Sequence, residues 1–346
     1  MKRSPFPHPL PLSGCVELAH GSGGRATAQL IAELFATRLD NPLLRQGNDG
    51  TDLGHVSGRL VVTTDAHVVT PHTFPGGDIG SLAIHGTIND LAMMGAEPRW
   101  LTAAFILEAG FPLADLAAII DTMAAAASRA GVAVVAGDTK VVERGQGDGI
   151  YITTSGIGVV AEGIHLGGDR VEPGDQILLS GTLGDHAMAV MAAREQLSFD
   201  PPLHSDSQPL HRLVAALLKA QPAIHCLRDP TRGGVAATLN EIAWQAGVGI
   251  ELDEAAIPLQ PGVRGGCELL GLDPLHLACE GRLLAFCRAA DTAALLALMR
   301  NRPESLAAAV IGEVVADPHH FVQIKTALGG YRMVDWIAGE QLPRIC

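Results

Sequence analysis

The sequence predicts two α/β domains in which strands and helices are mixed, and three observations carry that expectation. At 346 residues the chain is long enough for two cores. Short apolar runs alternate with segments of helical spacing along its whole length. A turn-rich boundary, Gly167-Gly168-Asp169 followed by Pro173-Gly174-Asp175, divides it near the middle.

The elements follow in order. After a Pro-rich leader, Gly21-Ser22-Gly23-Gly24 opens a helix-like stretch over 25–38, and a Gly/Asn/Asp loop over 46–54 leads to a strand over 59–64 that ends at Asp65. Residues 79–95 have helical spacing, 100–107 read as a strand and 112–130 as a long Ala-rich helix. The unbroken apolar run 132–136 predicts a strand buried on both faces, with Asp138 just after it. Alternating Ile, Thr and Val over 151–161 close the first half. The second half predicts strands at 176–180, 248–252, 282–287 and 310–315, and helices at 184–196, 210–220, 233–246 and 291–299. A polar loop covers 203–209.

Composition excludes several classes. The hydrophobic share is 47%, and counting the 40 Gly in place of the 2 Tyr raises it to about 58% against a usual 45–50%. With only 18% charged residues, little surface is left to solvate a monomer, which predicts a homo-oligomer with an apolar interface. No stretch approaches a membrane span, and the opening MKRSPFPHPLPLSG is broken by prolines where a signal peptide needs an apolar run; a cytoplasmic protein is expected. Six cysteines without a CxxC pair argue against a disulfide framework or zinc ribbon. A net charge of −13 argues against nucleic acid or an anionic membrane as main partner.

The chain ends Leu342-Pro343-Arg344-Ile345-Cys346, so nothing downstream can bury the last thiol. Gly339 offers a hinge and Pro343 stiffness, and the tail reads as an arm that could carry sulfur into a pocket. The acids Asp65, Asp90, Asp138 and Asp229, with Asp49 and Asp52 in the earlier loop, recur near strand ends, where α/β sheets bind ligands. Carboxylates without CxxC or HExxH favour a hard cation, Mg²⁺ first; each acid taken singly is equally a cap or turn residue. Neither GxxxxGK[ST] nor GxGxxG is present, but Gly21-Ser22-Gly23-Gly24 leaves backbone N–H groups free before a helix, a phosphate cradle or a plain linker. Lys140 beside Asp138 could offset phosphoryl charge, and Arg232 opens another helix. Glu280, among Leu277, Ala278 and Leu283, is placed for a raised proton affinity, or is an exposed turn acid. His67, His72 and the pair His319-His320 have no ligand spacing and read as surface or strand histidines.

His20-Gly21-Ser22-Gly23-Gly24, Asn89-Asp90, Gly137-Asp138-Thr139-Lys140-Val141-Val142, Asp229-Pro230-Thr231-Arg232-Gly233-Gly234 and Pro343-Arg344-Ile345-Cys346 occur in that order. Together they resemble the HypE family, the carbamoyl dehydratases of [NiFe]-hydrogenase maturation. That family stands in a superfamily with aminoimidazole ribonucleotide synthetase, selenophosphate synthetase and thiamine-monophosphate kinase. The match runs from about His20 to Cys346, and its Cys-terminal ending is its most specific part. The resemblance implies an α/β (α+β), two-domain fold like aminoimidazole ribonucleotide synthetase, with N-terminal domains pairing into a dimeric β-barrel. The implied division is 1–45 for the Gly-rich segment, 46–166 for the ATP-binding and dimerisation domain, 167–335 for the second α/β domain and 336–346 for a mobile tail.

It further implies ATP and Mg²⁺ as cofactors, with Gly21, Ser22, Gly23, Gly24, Asn89, Thr139, Lys140 and Arg232 on nucleotide and Asp49, Asp65, Asp90, Asp138 and Asp229 on metal. The early loop reads Asn48-Asp49 and then Asp52 where relatives often carry adjacent acids, so either acid is a candidate. A transcarbamoylase partner, HypF, is implied to load carbamoyl onto Cys346. ATP then drives dehydration to a thiocyanate with Glu280 as base and Lys140 or His20 as substitutes, and the cyano group passes to iron on HypC–HypD. Three rivals stand beside this: a relative acting on a free small molecule, an ATP-binding scaffold whose terminal Cys holds metal or a partner, and a disulfide redox switch. The last is disfavoured by the carboxylate beside the thiol, which leaves little thiolate at neutral pH.

Overall fold

The structure is a computed structural model and describes residues 6, 8–220, 223–336, 342 and 344–346. Gly339 and Pro343, the expected hinge and stiffener, lie outside the described residues. The N-terminal helix forms where expected but changes pitch, α-helical over Arg25–Leu30 (α1), π over Ile31–Phe35 and α-helical again over Ala36–Arg38 (α2). The first half then places β1 (Arg59–His67), the two-residue strands β2 (Thr73–Phe74) and β3 (Gly77–Asp78), α3 (Ile79–Met93), β4 (Ala96–Glu108), α4 (Leu113–Ala130), β5 (Ala133–Val142) and β6 (Ile150–Val160). The second half holds β7 (Asp175–Leu179), α5 (Asp185–Glu195), α6 (His211–Lys219), β8 (Ile224–Arg228), α7 (Gly234–Ala246), β9 (Gly249–Asp253) and α8 (Pro261–Leu270). It ends with β10 (Leu284–Arg288), α9 (Thr292–Arg300), β11 (Ala309–Val315), β12 (Val322–Lys325) and β13 (Tyr331–Met333).

Two main sheets result. The first has the order β1-β6-β4-β5, antiparallel except for the parallel pair β4/β5, and the second the order β13-β12-β9-β11-β7-β10-β8. β1 alternates along its length, with Val61, Thr63, Asp65 and His67 turned toward α3 and Leu60, Val62, Thr64 and Ala66 outward. Asp78 starts α3 by accepting a hydrogen bond from the Ser81 N–H at 2.8 Å. Almost every side of α3 is buried, because it lies between the first sheet and the second half of the chain. Its Asn89 donates to the Gln208 carbonyl at 3.0 Å and accepts from the Leu210 N–H at 2.8 Å. α4, amphipathic and closed by Gly131 in the left-handed region (φ +77°), covers the same sheet face.

Three expectations about placement change. Asp65 lies inside β1 rather than at its end, Asp138 lies inside β5 rather than after it, and Asp90 sits in α3. β5 is an edge strand: the run 132–136 is buried or half-buried as expected, but Gly137, Asp138 and Lys140 beyond it are exposed. Only Asp229, directly after β8, occupies a strand end.

Candidate functional site

The acids come together by a route other than strand ends. Asp65 points from β1 toward α3, and a Cβ on Gly86 would lie 2.9 Å from its Oδ2, so only glycine lets the helix approach the strand there. One turn further along α3, Asp90 accepts a hydrogen bond from Thr63 of β1 at 2.7 Å. Asp229 reaches the same spot from the end of β8. Burial and the charge of Asp90 push its carboxyl up to about 7, and burial likewise raises that of Asp90, helped by Asp65. Asp65 behaves oppositely. Burial favours its proton, but His67, with Nε2 3.3 Å from Oδ2, prevails and holds it below the usual range, aided by Arg232. His67, read from sequence as a surface or strand histidine, is a strand residue but a buried one.

Glu280 completes the group. It is 3% exposed, and burial raises its proton affinity well above that of an ordinary carboxylate, as do the charges of Asp229, Asp65 and Asp206. Its N–H donates to Asp206 Oδ1 at 2.9 Å, and its Oε1 has no hydrogen-bond partner among the described residues. Behind it a buried network joins Arg282 to Asp185 at 3.2 Å and to Asp206 at 3.5 Å. Burial pushes Asp206 up to about 6 against the pull of Arg282. A Cβ at Gly281 would sit 1.8 Å from the Asp206 carbonyl oxygen, so this glycine is what allows the 203–209 loop to close on Glu280.

Into this group comes the C-terminus. The tail, read from sequence as an arm that could carry sulfur into a pocket, turns inward, with Arg344 exposed and Cys346 partly exposed. Ile345 is 4% exposed in the main core, and the Cys346 thiol hydrogen-bonds the Glu280 carboxyl. Burial, then the charge of Glu280, push the thiol pKa well above its usual value, while Arg232 pulls the other way. The low thiolate content expected from the terminal carboxylate therefore has larger causes.

The remaining predicted residues gather elsewhere. Asp138 bonds the Thr139 N–H at 2.8 Å and Lys140 at 2.6 Å, and Lys140 and Asp138 are both about two-thirds exposed. That pair, led by the Lys140 hydrogen bond, lowers the Asp138 carboxyl. Gly21 packs on Val141 of β5, where an added Cβ would meet its backbone nitrogen at 2.9 Å. His20 is buried beside it and accepts from the Glu17 N–H. The loop with Asp49 and Asp52 is tied to β5 by Thr51, which donates to the Val135 carbonyl at 2.6 Å; both acids are exposed.

Register separates the two groups. Asp65 pairs through Thr154 and Ala103 to Gly137, whereas Asp138 aligns with Ala104, Thr153 and Ala66. Asp138 therefore faces the opposite side of the sheet, three strands and roughly 14 Å away. One chain does not bring Asp138, Asp49, Lys140, Thr139, His20 or the glycine loop to Asp65, Asp90 and Asp229. Two further expectations are corrected. The Asn89 amide donates to the Gln208 and Glu280 carbonyls and accepts from the Leu210 N–H, so it has no donor left for nucleotide. In the glycine loop, the Ser22 and Gly23 N–H groups already donate to the Ala19 carbonyl and to Thr27 Oγ1.

His186, Arg194, Asp206 and Arg282 carried no sequence signal. Each acts across contacts between residues far apart in the chain.

Comparison with known proteins places the whole chain. Residues 50–160 match the AIR synthase related protein, N-terminal domain, and residues 172–325 its C-terminal domain. A carbamoyl dehydratase HypE from Azotobacter vinelandii is 60% identical over 334 residues, covering 96% of this chain and 98% of that protein. A crystal structure of hydrogenase maturation protein HypE in complex with ATP superimposes with a TM-score of 0.92 at 46% identity, over 95% of this chain and 99% of that one. HypE from a HypE–HypF complex gives 0.78 at 48% identity, over 89% and 99%. The two-domain α/β architecture is that of these neighbours. Among the described residues, no helix is long and apolar enough to cross a membrane.

Proposed function

The chain belongs to the HypE carbamoyl dehydratases among the AIR synthase related proteins, and from that membership we propose that it dehydrates an S-carbamoyl group on its own Cys346 to a thiocyanate, driven by ATP. The single observation that carries this reading is the docking of the terminal thiol against the buried Glu280 carboxyl, beside three further acids. In this reading, HypF loads Cys346, ADP and phosphate are co-products, and the cyano group goes to iron on HypC–HypD in the cytoplasm.

The residues present fit Mg²⁺. Asp65, Asp90 and Asp229 offer only oxygen donors, and the burial and mutual repulsion that raise Asp90 and Asp229 are what a hard divalent cation offsets. Mg-ATP held there would supply the phosphoryl group that turns the carbamoyl oxygen into a leaving group. Glu280 takes one proton from the carbamoyl nitrogen, and Arg232 offsets charge beside the thiol. The departing phosphate carries away the carbamoyl oxygen and the second nitrogen proton, and the nitrogen is left triply bonded to carbon.

The second group, around β5, is assigned to a homodimer. Leu60 and Val62 are 55% and 73% exposed on the outer sheet face, with Ile106 at 43%. Closing two such sheets into one barrel requires the edge strands β1 and β5 of each copy to meet edges of the other. A β1-to-β5 contact would bring the β5 edge of one copy, with Asp138, Thr139, Lys140 and the glycine loop, against β1 of its partner copy, the strand that carries Asp65. The test of the whole reading is the intact mass of protein prepared with HypF, with and without ATP. Carbamoylated Cys346 should lose the elements of water only with ATP, and unchanged mass in both arms would refute it.

A further inference from the structure

The last residues run antiparallel to the segment after β1. The Val68 N–H donates to the Cys346 carbonyl and the Thr70 N–H to the Arg344 carbonyl, each at 3.2 Å. From the other side, α5 supplies two side chains. His186 Nε2 lies 2.8 Å from the Ile345 carbonyl oxygen, and Arg194 donates to the Arg344 carbonyl at 2.7 Å while also bonding the Thr70 carbonyl at 2.9 Å. Every carbonyl from 344 to 346 is thus engaged. Beyond the main chain, Arg344 pairs with Asp148 at 2.7 Å.

A carbonyl oxygen only accepts, so His186 Nε2 carries the hydrogen. Its Nδ1, 2.8 Å from Ser205 Oγ, then accepts a hydrogen bond from the Ser205 hydroxyl, whose oxygen accepts from the Ser207 N–H. The ring is fully buried, and burial holds it neutral by lowering its pKa to about 4. The residue between those serines, Asp206, accepts the N–H of Glu280. One loop, 203–209, therefore fixes both the tautomer of His186 and the backbone of Glu280, so the tail and the proposed base share one frame.

We propose that His186 and Arg194 are positioning residues that grip the C-terminal tail of this chain by its main-chain carbonyls and set the register in which Cys346 meets Glu280. The inference rests on the reading of Cys346 as substrate carrier for its purpose, though not for its geometry. Because the grip reads carbonyls, it tolerates other apolar side chains at position 345 while fixing how far the tail advances. Loss of the His186 donor leaves the Ile345 carbonyl buried without a partner, and the docked state should weaken roughly tenfold.

The experiment uses the full chain and needs neither partner nor nucleotide. The rate at which iodoacetamide alkylates Cys346 is read on the C-terminal peptide, since exposed Cys15 also reacts. His186→Ala should speed alkylation about tenfold, Arg194→Ala should speed it as well, and His186→Gln, which keeps a donor near the Nε2 position, should restore most of the protection. An unchanged rate in a folded His186→Ala protein overturns the proposal, as does a His186→Gln protein no better protected than His186→Ala. Should His186→Ala fail to fold, Arg194→Ala and Arg194→Lys on the partly exposed Arg194 decide alone, and unchanged protection in both overturns it. If protection changes as expected but wild-type protein never dehydrates its carbamoyl group, the grip stands and the proposed chemistry fails.

Discussion

Glu280→Gln is the perturbation that isolates the proposed base. Glutamine keeps the length and hydrogen-bonding reach of Glu280 but accepts no proton, and it also removes a buried acid whose carboxyl is crowded by Asp229, Asp65 and Asp206. Folding should therefore survive. General-base loss is worth roughly 10²- to 10⁴-fold, or about 3–5 kcal/mol in barrier. Within one chain, the histidines and Lys140 are poor substitutes. His67 is held by Asp65, while His20 and Lys140 lie with β5 at the far edge of the sheet. The assay is a single turnover of protein loaded at Cys346, with carbamoylated and cyanylated C-terminal peptides separated by mass. The variant should bind ATP, load normally and accumulate the carbamoylated form. The pH profile gives a second reading. Protonated Glu280 cannot accept a proton, so wild-type dehydration should climb with pH through a point above the ordinary carboxylate range, and the residual rate of the variant should lack that limb. A fall of less than about threefold would mean that another base, such as a phosphate oxygen, does the work.

Further outcomes follow from the same geometry. Cys346→Ala should abolish carbamoyl loading, followed by intact mass, while leaving ATP affinity nearly unchanged by calorimetry. Asp229→Asn should weaken Mg-dependent ATP binding, and mixing it with Asp138→Asn should restore roughly a quarter of wild-type turnover, as exchange of copies between dimers leaves one intact site in each mixed pair; no recovery after subunit exchange argues against a shared site. His85→Gln tests stability. Burial, then Arg129 and His211, lower the pKa of His85 from 6.5 to about 4, so the unfolded chain takes its proton first, and stability is whole above about pH 6.5 and falls as pH drops toward 4. Between about pH 7.5 and 5 wild type should lose roughly 2 kcal/mol through this residue and the variant should lose that much less, as read from urea midpoints.

Much of the secondary structure could be read from sequence because α3, α4, α7 and β6 satisfy their own spacing rules. What could not be read has local causes. α8 was missed because Gly262, Gly265 and Gly266 break the helical pattern, yet Gly266 is there for packing: a Cβ would stand 2.7 Å from the Met188 sulfur on α5. β12 is four residues long and too short to show a period, and in β8 (Ile224-His225-Cys226-Leu227-Arg228) a histidine interrupts the apolar run. Glu280 was suspected from its apolar neighbours alone, but the acids that act on it come from β1, the end of β8 and the 203–209 loop. No spacing in one sequence encodes that convergence.

The metal acids show how far one residue of register reaches. Aspartates 65 and 138 were grouped because each follows an apolar run, which says that both lie on strands. It does not say which face each occupies. Side chains alternate with a period of two, so the pairing of Asp65 with Gly137, and not with Asp138, sends the two carboxylates to opposite sides of the first sheet. Asp65 turns inward to α3, His67 and the tail, and Asp138 turns outward with Leu60, Val62 and Lys140. A motif shared by both acids then makes sense only if the outward face meets something. The exposed apolar residues on the same face as Asp138 are the part of the sequence that says what kind of surface it meets, another apolar sheet face, for which a second copy of this chain is the simplest donor.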